Sequence, residues 1–84
     1  MYATAQDLQD RYPAQDLIQL TDPDGAVLDE SRLVKALNDA SAEIDGYLQG
    51  RYTLPLVEVP KVLEVMACDI AMYRLQVNRP LGSV

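Results

Sequence analysis

The densest run of metal-type ligands in this chain is Asp22-Pro23-Asp24-Gly25-Ala26-Val27. Alternating carboxylates ahead of a glycine suit the centre of a calcium-binding loop between two helices, because the glycine permits the sharp turn that aims successive oxygens at one cation. Aligning Gly25 with that glycine puts Asp22 and Asp24 at the third and fifth loop positions, Leu20 at the first and Ser31 at the twelfth. The first and last ligands are then missing. The stretch reads as an acidic turn, and no metal is assigned to it.

Other reactive side chains fare no better as chemistry. Asp7/Asp10 and Asp39/Glu43 stand three and four residues apart, which is the spacing of neighbours on a helix surface. Acid–base work needs carboxylates held in a cleft with displaced pKa values. Cys68 falls in an apolar run with no histidine anywhere to activate it, so it reads as a buried, inert thiol. One cysteine and no histidine exclude an intrachain disulfide and a cysteine–histidine zinc site. The four glycines are scattered at 25, 46, 50 and 82, so none of them builds a phosphate loop. The expectation is a protein with no catalytic residue, no cofactor and no enzymatic activity.

Arg51 and Tyr52 carry a different kind of chemistry. An arginine just past a helix end can bond the last free carbonyls. Arg and Tyr are also the types enriched where protein surfaces anchor one another. Spacing alone supports both readings.

The elements that position these residues follow from periodicity. Leu33, Leu37, Ala40, Ile44 and Tyr47 repeat at helical spacing, flanked by Val34, Ala36 and Leu48, and predict a long amphipathic helix over about 30–49. Asp29 or Ser31 can cap its start, and Gly50 is placed to end it in a left-handed conformation. Upstream, Thr4 with Asp7 makes an imperfect capping box for a short helix bearing Leu8 and Tyr12. Pro13 ends that helix and can open a second over 14–20. After the acidic turn, Val27 and Leu28 are expected to tuck against the core.

Past Gly50, Pro55 and Pro60 hold an apolar stretch containing Leu54, Leu56, Val57 and Val59 extended, as a stiff strap across the helix ends. Pro60 suits the first position of a last helix over about 60–77. Leu63, Met66, Ala67, Ile70, Tyr73 and Arg74 follow one helical stripe there, and Val62, Val65, Ala71, Met72 and Leu75 widen it round most of the circumference. So broad an apolar surface in so short a chain predicts cover from a second side, by another subunit or another segment. The fold class is therefore all-α: a single domain over 1–84 built from two longer helices, one or two short N-terminal helices and a proline-rich strap.

Charge narrows the partners. The net charge of −6 belongs to residues 1–30, where seven acids face Arg11 alone, while residues 31–84 hold six charges of each sign. A nucleic-acid binder needs basic surface to displace counterions, so sequence-specific nucleic-acid binding is not expected. No run approaches the length of a membrane span and no basic-then-apolar leader opens the chain, so a soluble intracellular protein is expected.

Several segments together resemble a known group. Met1-Tyr-Ala-Thr-Ala-Gln-Asp-Leu, Leu17-Ile-Gln-Leu-Thr-Asp, Asp39-Ala-Ser-Ala-Glu-Ile-Asp-Gly-Tyr-Leu, Gly50-Arg-Tyr-Thr-Leu-Pro-Leu and Ala67-Cys-Asp-Ile-Ala-Met-Tyr-Arg-Leu are similar to a small protein family of Mu-like phages and prophages. The resemblance implies a place in the head-morphogenesis module of a tailed phage. It further implies kinship with all-helical head–tail connector proteins, which form rings beneath the portal and join it to the tail. Members of the family continue past the Asn78-Arg79-Pro80 point with a further helical stretch, and often carry aspartate or glycine where Ala26 stands.

The leading expectation is thus a structural neck subunit of the virion, present in the host cytoplasm during assembly, that forms a homo-oligomeric ring and meets portal and tail-completion proteins. Its expected interface residues are Tyr47, Arg51, Tyr52, Leu54, Leu56, Met66, Met72 and Tyr73. The alternative is an acidic binding module that docks on a basic host or phage protein as a regulator.

Overall fold

The computed structural model describes residues 2–22, 27–51 and 58–77. Four helices follow in order: α1 (Ala5–Arg11), α2 (Ala14–Thr21), α3 (Glu30–Leu48) and α4 (Lys61–Val77). Among the described residues there is no strand. The fold is all-α, a small bundle of two long helices with two short ones ahead of them. Most of the strap, residues 52–57, lies outside the described residues, as does the Pro23–Ala26 part of the acidic turn.

The helix starts are set by side chains that satisfy free backbone donors. At α1 the capping box is complete although an aspartate fills the glutamate position. Asp7 N–H donates to Thr4 Oγ1 (3.2 Å) and Thr4 N–H donates to Asp7 Oδ2 (2.8 Å). Tyr12 ends α1 in an extended conformation, its N–H still donating to the Leu8 carbonyl (3.0 Å). Pro13 then serves as the N-cap of α2, its carbonyl accepting from Asp16 and Leu17. At α3 the choice of cap resolves to Asp29, whose Oδ1 accepts from Arg32 N–H (3.4 Å) and from the Ser31 hydroxyl (2.6 Å). The last helix begins at Lys61, so Pro60 stands one position before its first residue and accepts from Leu63 N–H (3.0 Å).

Gly50 departs from expectation. Its backbone is not left-handed; the chain leaves α3 through a turn in which Arg51 N–H donates to the Leu48 carbonyl (2.9 Å). That bond satisfies an end carbonyl with a tight right-handed turn, so the freedom of glycine is not drawn on there.

The core lies mainly between α3 and α4, with α1 laid against α3 and α2 touching both. Leu8, Leu17, Leu33, Leu37 and Ile44 are fully buried, joined by Ala36, Ala40, Leu63, Ala67, Cys68, Ala71, Met72 and Leu75. Tyr47, placed by spacing on the buried stripe of α3, is instead 74% exposed, because the stripe drifts off the α4 contact in the last turn and Leu48 packs there in its place. The α4 stripe is also rotated from expectation. The side chains it buries are Leu63, Ala67, Cys68, Ala71, Met72 and Leu75, while Met66 and Tyr73 face outward. The face that α4 buries carries small residues at 67, 68 and 71, and the buried face of α3 carries small residues at 36 and 40, which suits close approach of the two helices better than Met66 and Tyr73 would.

Val27 is likewise exposed, and only Leu28 packs on the core. Val27 N–H donates to Asp22 Oδ2 (3.1 Å), which ties the loop end to the end of α2. The N-terminal residues also dock on α3. Ala3 is buried, Tyr2 N–H donates to Ser41 Oγ (3.1 Å), and the Tyr2 hydroxyl donates to Asp45 Oδ1. Ser41, a polar residue on the buried face of α3, thereby gains its partner.

Candidate functional site

The outer face of α4 is the surface that the fold leaves unfinished. Val62, Met66, Tyr73 and Val77 are 59%, 41%, 67% and 61% exposed, and Ile70 between them is half-buried. These positions are four, four, three and four residues apart, which places all five on one stripe of the helix. Among the described residues, four of the eight exposed large apolar side chains therefore lie on this one stripe. Scattered single exposures need no explanation, but a continuous line of them does.

Polar groups edge the stripe on both sides. A groove of about 480 Å³ runs along it, lined by Glu43, Asp69, Ile70, Tyr73, Arg74 and Val77. On one edge Arg74 Nη2 donates to Glu43 Oε2 (3.1 Å), which ties α4 to α3, while the Arg74 Nε–H is buried with no acceptor. On the other edge Asp69 is exposed and its Oδ1 accepts from the Tyr12 hydroxyl (3.2 Å). Burial first, and then the charge of Asp69, push the Tyr12 phenol above its ordinary range. The groove is apolar with a few charged groups at its margin, the pattern of a surface that receives a protein partner.

The expected interface residues distribute as follows. Met66 and Tyr73 stand on the α4 stripe, and Tyr47 and Arg51 stand exposed at the end of α3. Arg51 uses its backbone N–H to close the turn, and its side chain has no hydrogen bond or ion pair among the described residues, so the guanidinium does not cap the α3 carbonyls. Met72 is buried in the core against its own chain. Tyr52, Leu54 and Leu56 lie outside the described residues. Asp69, which spacing did not single out, is brought by the fold to the rim of the stripe.

The remaining reactive groups have structural work. Asp7 caps α1, Asp10 accepts from Gln6 (2.9 Å), and Asp39 pairs with Lys35 (3.7 Å). The backbone N–H of Thr4 holds the Asp7 carboxyl below its usual range. Cys68 is buried, and burial raises its thiol pKa, which keeps it protonated and unreactive near neutral pH. No group of three or more metal-type ligands converges among the described residues, and no helix there is long and apolar enough to cross a membrane.

Comparison with known proteins agrees with these segments. A family model described as Bacteriophage Mu, Gp36 matches residues 2–83. The Mu-like prophage FluMu protein gp36 of Haemophilus influenzae is 48% identical over 80 residues, which cover 94% of this chain and 57% of that protein. Gene product J of Escherichia phage Mu is 44% identical over 86 residues, covering 99% of this chain and 60% of that protein. The chain thus spans about three-fifths of the length of these relatives.

Proposed function

We propose a function from one premise, that this chain belongs to the Bacteriophage Mu, Gp36 family. It is a non-enzymatic structural protein of a tailed phage or prophage, a head–tail connector or head-completion subunit that assembles as a homo-oligomeric ring between portal and tail. It acts in the host cytoplasm during assembly and in the finished virion. The observation that carries the reading is the outer stripe of α4, which one copy leaves in water. Adjacent copies in a ring would cover it and bury the apolar side chains it exposes.

The charge distribution is compatible with that place. A wall that repels phosphates lets DNA slide past it, and the excess acid of residues 1–30 would supply such a wall. Neither metal nor cofactor is called for.

Two measurements test the reading. Mass in solution by light scattering should exceed that of a 9.3 kDa monomer and grow with concentration to a defined multiple. Affinity capture from lysogenic or infected cells should recover portal and tail components. A monomer at every concentration, together with capture of a basic host protein in their place, would replace this reading with that of an acidic regulatory module.

A further inference from the structure

We propose that the second copy meets the α4 stripe through the end of its own α3, with Arg51 of one copy paired to Asp69 of the next and Tyr47 laid over Met66 and Tyr73. The inference rests on the ring reading above and names the surface that does the joining.

Packing the stripe directly on the same stripe of another copy is the simpler possibility, and charge argues against it. The pairs Val62/Val77 and Met66/Tyr73 are both centred between Asp69 and Ile70, so antiparallel self-packing would bring Asp69 against Asp69 of the other copy. Like charges facing each other along the edge of a contact disfavour it. Arg74 cannot neutralise them, because it is already engaged with Glu43. The stripe therefore calls for a surface that is apolar or aromatic and carries a spare cation.

The end of α3 has both. Tyr47 is 74% exposed, and Arg51, four residues on, is exposed with its guanidinium unpaired among the described residues. Tyrosine and arginine are the types that anchor protein contacts. A phenol ring over Met66 and Tyr73 gains sulfur–aromatic and aromatic pairing beyond area alone. An arginine beside Asp69 supplies a charge opposite to that of the carboxylate.

Charge reversal tests the pairing on the whole chain. Asp69→Arg sets two arginines together and Arg51→Asp sets two aspartates together, so each variant alone should associate about tenfold more weakly or worse. An equimolar mixture of the two should assemble again, since every contact then joins opposite charges, and so should the double variant R51D/D69R. Circular dichroism checks that each single variant is folded. Wild type that assembles alongside single variants that assemble equally well overturns the Arg51–Asp69 pairing and leaves the ring reading standing. Single variants that fail, with neither mixture nor double variant restoring association, also overturn the pairing. A wild-type monomer throughout overturns both.

Discussion

Single side chains hold the N-terminal segment in place, and Tyr2 does so with a signature that pH can read. Its hydroxyl donates to Asp45, and that bond, with burial and the Asp45 charge behind it, pushes the Tyr2 pKa from 10.0 up to about 12. The folded chain therefore keeps a proton that the unfolded chain releases near pH 10, so the contribution is full below pH 10 and disappears as pH rises through about 12. Wild type should lose thermal stability more steeply than Tyr2→Phe across that window, with parallel curves overturning the assignment. Thr21 makes a second case. It is buried, donating to the Leu17 carbonyl (2.8 Å) and accepting from Asp29 N–H (3.1 Å), and so clasps the end of α2 to the start of α3. Thr21→Val keeps the shape but strands that N–H, which should cost about 1–3 kcal/mol in urea denaturation. The capping box of Thr4 and Asp7 was legible in the sequence because such bonds are local. The Tyr2 and Thr21 contacts were not, since they join residues that only the fold brings together.

At the scale of the helix, α3 and α4 show where periodicity suffices and where it cannot. On α3 polar residues occupy the outward positions, so the apolar repeat identified its buried face up to Ile44. On α4 apolar residues stand on both sides, so no repeat could choose between them, and the face that the fold buries is the one bearing the small residues Ala67, Cys68 and Ala71. Among the described residues the exposed stripe of α4 runs through Val62, Met66, Tyr73 and Val77, rotated from the face that spacing favoured. Two kinds of substitution should separate accordingly. Leu37→Ala, at a fully buried site, should destabilise the fold by about 2–5 kcal/mol. Tyr73→Ser or Met66→Gln should leave the isolated subunit within about 0.5 kcal/mol of wild type while weakening association, as read by denaturation at low concentration and by light scattering at high. Equal losses in both classes would mean that the outer stripe packs within its own chain.

For the molecule as a whole, these separate observations converge on one dependence. Leaving the α4 stripe wet withholds apolar burial that a neighbour can supply. The all-α class was legible because the apolar repeats outside the proline-rich strap had helical period and a cap or proline at their start. Tyr47, Arg51, Met66 and Tyr73 could be named from residue type and spacing, whereas Asp69 could not, because its place at the rim of the stripe depends on the fold. If assembly supplies the missing burial, stability must depend on concentration, since binding to the folded state alone draws the equilibrium toward it. Above the association threshold, a tenfold rise in protein should add about 1 kcal/mol per copy, and for a domain of this size that raises the melting temperature by about 4–8 °C. Asp69→Arg should flatten this dependence, and the R51D/D69R pair should restore it. A melting temperature that ignores concentration in wild type would show that the subunit is complete alone and that its outer helix face serves some other partner.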